Sequence, residues 1–94
     1  MDELNSDAVP SVRENVFMRD EYFGMLVFTN RTPLLAFDGD AASILRLCDG
    51  SRTVREIAQD LTESYQADQL LSTVQSFVAV CLQLGLVDIK LRRT

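Results

Sequence analysis

The chain has 94 residues, of which 47% are hydrophobic and 24% are charged, and its formal net charge is −5. This length allows one domain with a small core, and the composition is that of a globular protein rather than a disordered one. Histidine is absent, which excludes histidine-dependent acid–base catalysis, catalytic triads and histidine-containing metal sites. The acidic balance argues against general nucleic-acid binding, because that binding depends on Lys and Arg neutralising phosphates.

The sequence carries no sign of membrane insertion or secretion. No apolar run approaches the ~18 residues of a membrane helix, and residues 1–4 contain two acids where a signal peptide is basic. We therefore expect a cytoplasmic protein without membrane contact. Cys48 and Cys81 lie among apolar neighbours and form no CxxC pair, so both are predicted to be buried, reduced thiols.

The first part of the chain is predicted to form strands. Residues 1–11 are polar and acidic without periodicity, which predicts a mobile tail. Three short segments rich in strand-forming residues follow, at 16–18, 25–28 and 34–37. Pro33 opens the third segment, and proline cannot donate a ladder hydrogen bond, so this strand is predicted to lie at a sheet edge.

The second part of the chain is predicted to be helical. One helix covers 41–47, after a start signal at Asp38-Gly39-Asp40. A second begins at the capping box formed by Thr53 and Glu56, and a third, the longest, runs from Asp68 to Gly85. Helical spacing predicts a buried core of Ile44, Leu45, Ile57, Leu61, Val74, Phe77 and Cys81.

The order of these elements predicts an α+β fold, in which a three-stranded antiparallel sheet is followed by three helices. We assign this domain to residues 12–89, with a basic C-terminal tail over 90–94. No phosphate-binding loop, paired catalytic carboxylates or thiol cluster is present in the sequence. The carboxylates beside Gly39 fit helix capping better than a cation loop. The protein is therefore predicted not to be an enzyme and to need no metal or cofactor.

Apolar residues occupy both faces of the predicted sheet. In the second strand Met25 and Val27 point one way and Leu26 and Phe28 the other. A sheet with helices on one side normally alternates apolar with polar residues. The third helix also has an apolar stripe wider than one seam. The rest of the chain could cover this apolar surface completely, or the surface could form an interface for a partner, and the residue pattern is compatible with both.

Several segments match one known family. The best matches are 23–27 (FGMLV), 34–37 (LLAF) with 40–45 (DAASIL), 47–58 (LCDGSRTVREIA) and 85–87 (GLV). Together, residues 12 to about 87 resemble the PqqD-like family, the recognition elements of ribosomally made and post-translationally modified peptides (RiPPs). The chain departs from the pattern at Cys81, where the family usually has leucine, and at 37–39.

The resemblance implies a small winged-helix-like domain that is not an enzyme. Members of the family bind the leader segment of a precursor peptide between an edge strand and the last helix. A maturase, often a radical SAM enzyme, then modifies the peptide. Backbone pairing would give affinity and side-chain pockets specificity. The peptide-binding residues expected from this resemblance and from the residue pattern are Arg31, Pro33, Leu34, Leu35, Ala36, Phe37, Leu71, Gln75, Val78 and Leu82.

Two other functions are weighed against this one. A winged-helix transcription regulator needs a basic recognition helix, but residues 68–85 contain no Lys or Arg. An accessory subunit could instead dimerise through the open sheet edge, and a homodimer of that kind is compatible with peptide binding. Neither nucleic acid nor a membrane is expected as a partner.

Overall fold

The computed structural model describes residues 4–62 and 67–91, and the side chains of 67 and 68 are not described. Two small antiparallel sheets and three helices make up this part of the chain. One sheet pairs β1 with β5, and the other has the strand order β2-β3-β4. No helix among these residues is long and apolar enough to cross a membrane. The elements are β1 (Ala8–Val12), β2 (Phe17–Glu21), β3 (Gly24–Phe28), β4 (Leu35–Asp38), α1 (Gly39–Arg46), α2 (Val54–Asp60), α3 (Ala67–Gln83) and β5 (Val87–Leu91).

The predicted α+β fold is confirmed, with the three-stranded antiparallel sheet followed by three helices. In this sheet Met25 of β3 pairs with Phe37 of β4, and Val27 pairs with Leu35. These four side chains belong to the core or pack against it. Paired residues of an antiparallel sheet point to the same side, so this face of the sheet lies under the helices.

The helix starts follow the predicted capping chemistry. The Asp38 carboxylate accepts a hydrogen bond from the Ala41 N–H (2.9 Å) at the start of α1. At α2 the Thr53 hydroxyl accepts from the Glu56 N–H (3.1 Å), and the Glu56 carboxylate accepts from the Thr53 N–H (2.9 Å). Side-chain caps of this kind satisfy N–H groups that have no partner within the helix.

The core lies between the sheet and the three helices. Of the seven side chains predicted to be buried, five are confirmed, namely Ile44, Leu45, Ile57, Val74 and Cys81. Leu61 and Phe77 are only half-buried and pack at the margin of the core. For Phe77 the reason is its position on the flank of α3 that turns toward β4 rather than toward the centre.

Both chain ends differ from the sequence-based expectation. Residues 8–11, assigned above to a mobile tail, belong to β1, whose pairing with β5 runs from Ala8–Leu91 to Val12–Val87. Ala8, Val9 and Pro10 are buried. Lys90, assigned to a basic tail, likewise lies in β5. The prediction missed this sheet because its two strands come from opposite ends of the chain. Residues 1–3 and 92–94 lie outside the described residues.

Both cysteines are free and buried, as predicted. Burial raises the pKa of the Cys48 and Cys81 thiols to about 12, against an ordinary value of about 8.5. Because the folded state favours the protonated thiols, their full contribution to the free energy of unfolding is present below about pH 8.5, where the thiols of the unfolded chain are protonated as well. This contribution to stability is lost as the pH rises toward 12, because the unfolded chain then ionises more readily than the fold.

We expect both thiols to resist labelling by DTNB at pH 8 in the folded protein and to react fast once it is denatured, because the reactive thiolate is both rare and inaccessible in the fold. Counting released thionitrobenzoate with and without denaturant measures this. Rapid release from the native protein would contradict the burial of the thiol concerned.

Candidate functional site

Strand β4 forms one edge of the three-stranded sheet. It pairs with β3 on one side only, and no described strand pairs with its other side. Pro33 precedes it and is exposed, in agreement with the predicted edge position. An edge strand presents unpaired N–H and C=O groups. The structure therefore offers a backbone edge on which another extended chain can form hydrogen bonds.

The side chains of β4 alternate between the core and the surface. Leu35 and Phe37 are half-buried and pack against the core, whereas Leu34 and Ala36 are exposed. Arg31 is exposed in the loop before the strand. Of the six residues predicted around this strand, 35–37 lie in β4, and Arg31, Pro33 and Leu34 lie in the segment that leads into it.

Helix α3 lies beside β4 and contacts it through an aromatic pair. The rings of Phe37 and Phe77 are 5.5 Å apart between centroids, at an interplanar angle of 73°, the edge-to-face arrangement that aromatic pairs favour. Helical spacing of three, four and seven places Thr73, Val80 and Leu84 on the same flank as Phe77. Val80 is 51% exposed and Leu84 39%. We call the surface between the β4 edge and this flank the β4–α3 groove, and its helical side consists of Thr73, Phe77 and Val80 of α3 with Leu84 just after the helix end.

The four helix residues predicted from the sequence lie on another face of α3. Leu71, Gln75, Val78 and Leu82 share one face with each other but not with Phe77. The Gln75 side-chain amide donates to the Leu4 carbonyl oxygen (2.9 Å), so this face turns toward the N-terminal segment. Val78 is fully buried, and Leu71 is half-buried against the core. Leu82 is exposed, but not on the flank of Phe77.

The structure places Phe77 beside β4, and helical spacing puts Thr73, Val80 and Leu84 on the same flank, whereas the predicted residues Leu71, Gln75, Val78 and Leu82 lie on other sides of α3. The apolar spacing of 77, 80 and 84 was available in the sequence. The sequence did not decide the rotation of α3, because its apolar stripe is wide enough to be centred near Phe77 or near Val78, and it is Val78 that is fully buried. The peptide-binding role of the four predicted helix residues stays a prediction, and the Phe77 flank is the helical wall used in the proposal below. The peptide-binding role of the strand residues stays a prediction.

A pocket of about 350 Å³ lies between α1 and α3. Thr73 lines it and lies by helical spacing on the same flank of α3 as Phe77. Apolar groups of Ile44, Leu61 and Leu70 and polar groups of Asp40, Ser43, Gln69 and Thr73 line this pocket. An extended chain lying along β4 could place one large side chain here. The described residues contain no group of His, Cys, Asp or Glu that could hold a metal ion.

An open sheet edge beside an apolar helix flank is typical of a small domain that binds an extended peptide. A family model described as coenzyme PQQ synthesis protein D (PqqD) matches residues 25–87. Because this match covers most of the chain, the chain belongs to the PqqD family, and the resemblance drawn from its sequence is confirmed. It is a PqqD-like recognition element and not an enzyme.

Two solved structures share the fold. A lasso peptide synthetase B1 complexed with the leader peptide superposes with a TM-score of 0.74 at 17% identity, over 85% of this chain and 98% of that one. The PqqD truncation of PqqCD from Methylobacterium extorquens, described as a functional and stand-alone RiPP recognition element, gives 0.70 at 23% identity. That match covers 85% of this chain and 88% of the other. No match is found among curated proteins.

Proposed function

We propose that this protein binds the leader segment of a ribosomally made precursor peptide as an added strand on β4, and that it delivers the peptide to a maturase such as a radical SAM enzyme. The observation that carries the proposal is the open backbone edge of β4 next to the apolar flank of α3, joined by the contact between Phe37 and Phe77. Membership of the PqqD family supports it. So does the shared fold with a synthetase subunit solved together with a leader peptide.

Strand addition explains how one small domain combines affinity with specificity. Backbone hydrogen bonds along β4 bind any extended chain, while alternate side chains of that chain face the α3 wall and are selected there. The pocket that Thr73 lines would select one large side chain through the apolar groups of Ile44 and Leu70. Exposed Arg31 would attract an acidic leader residue at the start of the strand.

The expected free energy of binding suits a carrier that must release its peptide. Burial of roughly 500 Å² of apolar surface favours binding by about 12 kcal/mol before costs. Association and peptide ordering cost about 4–15 kcal/mol. A net of about −8 kcal/mol corresponds to a Kd of about 1 μM. A complex of that strength forms readily and still dissociates fast enough to pass the peptide on.

We expect Val80→Asp to weaken leader binding at least ~10-fold, which is about 1.4 kcal/mol, because it places a charge on the apolar wall of the groove. Leu82→Asp is the matched control. Both residues are exposed on α3 to a similar degree, 51% and 41%, but they lie on different faces of the helix. Once a short precursor reading frame has been found near the gene, isothermal titration with its synthetic leader measures both affinities.

The same titration decides between the two faces of α3. Unchanged binding by Leu82→Asp and weakened binding by Val80→Asp support the groove defined here. The reverse pattern would restore the predicted wall of Leu71, Gln75 and Leu82 and contradict ours. Amide shift mapping is a second readout. Shifts clustered at 33–38 and 73–84 are expected, whereas shifts confined to 50–60 would refute the strand-addition site.

Homodimerisation through the same edge is the competing use of β4. Two copies paired there would leave no edge for a leader peptide, so leader and dimer should exclude each other. Sedimentation velocity with and without the synthetic leader separates the two. A dimer that persists at saturating leader would show that the dimer and the leader do not share the β4 edge, since β2 is the other edge of this sheet.

A further inference from the structure

The pocket between α1 and α3 combines an apolar interior with a polar rim. The side chains of Ile44 and Leu70, which line it, are buried, whereas Asp40, Gln69 and Thr73 line it from exposed positions. Its volume of about 350 Å³ lies within the range of small-ligand pockets, roughly 300–1,000 Å³. An occupant that fits both parts of the pocket needs an apolar stem and a polar end.

The polar side chains of this pocket mainly accept hydrogen bonds. A hydroxyl group has one proton to donate. The Ser43 hydroxyl donates it to the Gly39 carbonyl oxygen (2.9 Å), and the Thr73 hydroxyl donates it to the Gln69 carbonyl oxygen (3.1 Å). Both hydroxyl oxygens are therefore left to accept from an occupant, as is the carboxylate of Asp40. Of the described polar side chains that line the pocket, only the Gln69 amide both donates and accepts.

The charge at the pocket is negative. Among the described residues that line it, Asp40 is the charged one. The basic residue of α1, Arg46, lies in the last turn of the helix and forms an ion pair with Asp20 (2.7 Å). A helix N-terminus attracts anions, but the Asp38 cap already supplies negative charge at the start of α1. The chain as a whole has a net charge of −5, which attracts a basic partner from a distance.

The pocket lies near one end of the strand that is proposed to bind the leader. Asp40 follows the last residue of β4 by two positions. Thr73 lies about one helical turn before Phe77, whose ring contacts Phe37 of β4 at 5.5 Å between centroids. A peptide strand paired along β4 would therefore pass close to the pocket at the Asp38 end of the strand.

We infer that this pocket binds one lysine or arginine side chain of the leader, with its stem on Ile44 and Leu70 and its cationic end at Asp40. The inference rests on the proposed function and defines the class of leader that the protein selects. Lysine and arginine bury their stems along apolar surface and keep the charged end near water. Their charged groups only donate hydrogen bonds, which matches the acceptors of the pocket. A hydrogen bond from such a group to a carboxylate is charge-assisted.

Other kinds of side chain match the pocket less well. An aromatic or aliphatic side chain would cover the oxygen atoms of Asp40, Ser43 and Thr73 without hydrogen-bonding to them. Removing polar groups from water without a new partner is costly. An acidic side chain would be repelled by the Asp40 carboxylate and would meet acceptors instead of donors. The pocket thus selects by charge and by hydrogen bonding together.

The test combines variants of the protein with variants of the leader. Asp40→Asn keeps the size of the side chain and removes its charge. Asp88→Asn is the matched control, because it removes the same charge from an exposed residue of β5 in the other sheet. The probe is the synthetic leader of a short precursor reading frame found near the gene. Each Lys or Arg of this leader is replaced in turn by norleucine, which has an uncharged apolar stem, and isothermal titration gives the affinity of every pair.

One basic position of the leader is expected to depend on Asp40. Its replacement by norleucine should weaken binding to the original protein about 5-fold, the upper end for exposed ion pairs. The same replacement should change binding to Asp40→Asn by no more than about twofold. Asp40→Asn should itself weaken binding of the unaltered leader about 5-fold, whereas Asp88→Asn should stay within about twofold. In a charge reversal, Asp40→Lys should bind a leader with glutamate at that position more tightly than the unaltered leader.

Each outcome either supports or overturns the inference. Dependence of one leader position on Asp40, and not on Asp88, supports it. Binding of a leader that contains no Lys or Arg, equal effects of norleucine in the original protein and in Asp40→Asn, or equal weakening by Asp88→Asn overturns it, while the proposed function stands because the leader still binds. Circular dichroism establishes that each variant is folded, and the norleucine series decides alone if Asp40→Lys is not. Failure of the leader to bind the original protein refutes the proposed function and this inference with it.

Discussion

Val78→Asp is expected to unfold the domain at pH 7. The Val78 side chain is fully buried in the core, with 0% exposure. A carboxyl group placed there is neutral in the fold and ionised in the unfolded chain, and the roughly 3 pH units between its ordinary pKa and pH 7 correspond to about 4 kcal/mol. Lost apolar burial adds about 1–3 kcal/mol. The sum approaches the whole stability of a small domain, about 5–15 kcal/mol.

The pH dependence of the stability of Val78→Asp shows whether the buried carboxyl group causes the loss of stability. Because the folded state would raise the pKa of the new carboxyl, the protonated fold is favoured at low pH, and the stability deficit grows as the pH rises from 4 to 7. Urea denaturation followed by circular dichroism at both pH values measures this change. Leu82→Asp on the same helix, where the side chain is exposed, should cost less than ~1 kcal/mol. A Val78→Asp protein with the original stability at pH 7 would contradict the burial described here.

Gly24→Ala is expected to lower the free energy of unfolding by about 2–5 kcal/mol. Gly24 has φ +149°, a conformation that residues with a side chain rarely adopt. A Cβ built on it would overlap the carbonyl oxygen of Phe37 and lie 2.5 Å from the carbonyl carbon of Asp38. Those atoms are backbone atoms of β4, so the strand itself must move. The substitution should therefore disturb the edge proposed for the leader as well as the stability.

Gly39→Ala is the matched control for this steric argument. Gly39 opens helix α1, and a Cβ there would meet no atom within 4 Å. Alanine also has the better helix propensity, so this variant should be neutral or more stable by up to ~1 kcal/mol. Urea denaturation of both variants gives the comparison. Equal stability of the two would show that β4 can shift at little cost.

Short sequence signals were sufficient to predict those features of the fold that depend on neighbouring residues. The capping box at Thr53 and Glu56 marked the start of α2, and the structure has Thr53 as the N-cap of this helix. Pro33 marked the edge position of β4. Both predictions rest on chemistry within a few residues, which is why tertiary packing did not overrule them.

Contacts between distant segments were not predictable in the same way. Pro10 lies in a polar, aperiodic stretch, and nothing near it signals that β5 will pair with it. The rotation of α3 is set by its buried residues, Leu70, Val74, Val78 and Cys81. This rotation turns Gln75 toward the N-terminal segment and Phe77 toward β4. The apolar stripe in the sequence is wide enough to be centred on Phe77 instead, so spacing alone could not decide which flank of the helix lies beside β4.

The pairing of β1 with β5 has a consequence for the order of folding. Closing a loop that contains nearly the whole chain is entropically more costly than closing a short hairpin, and contacts of large sequence separation slow folding. The β2-β3-β4 sheet needs only short loops, whereas the two-stranded sheet needs both ends of the chain. During synthesis, therefore, the edge of β4 can form before β5 has emerged, and β1 finds its partner strand only afterwards.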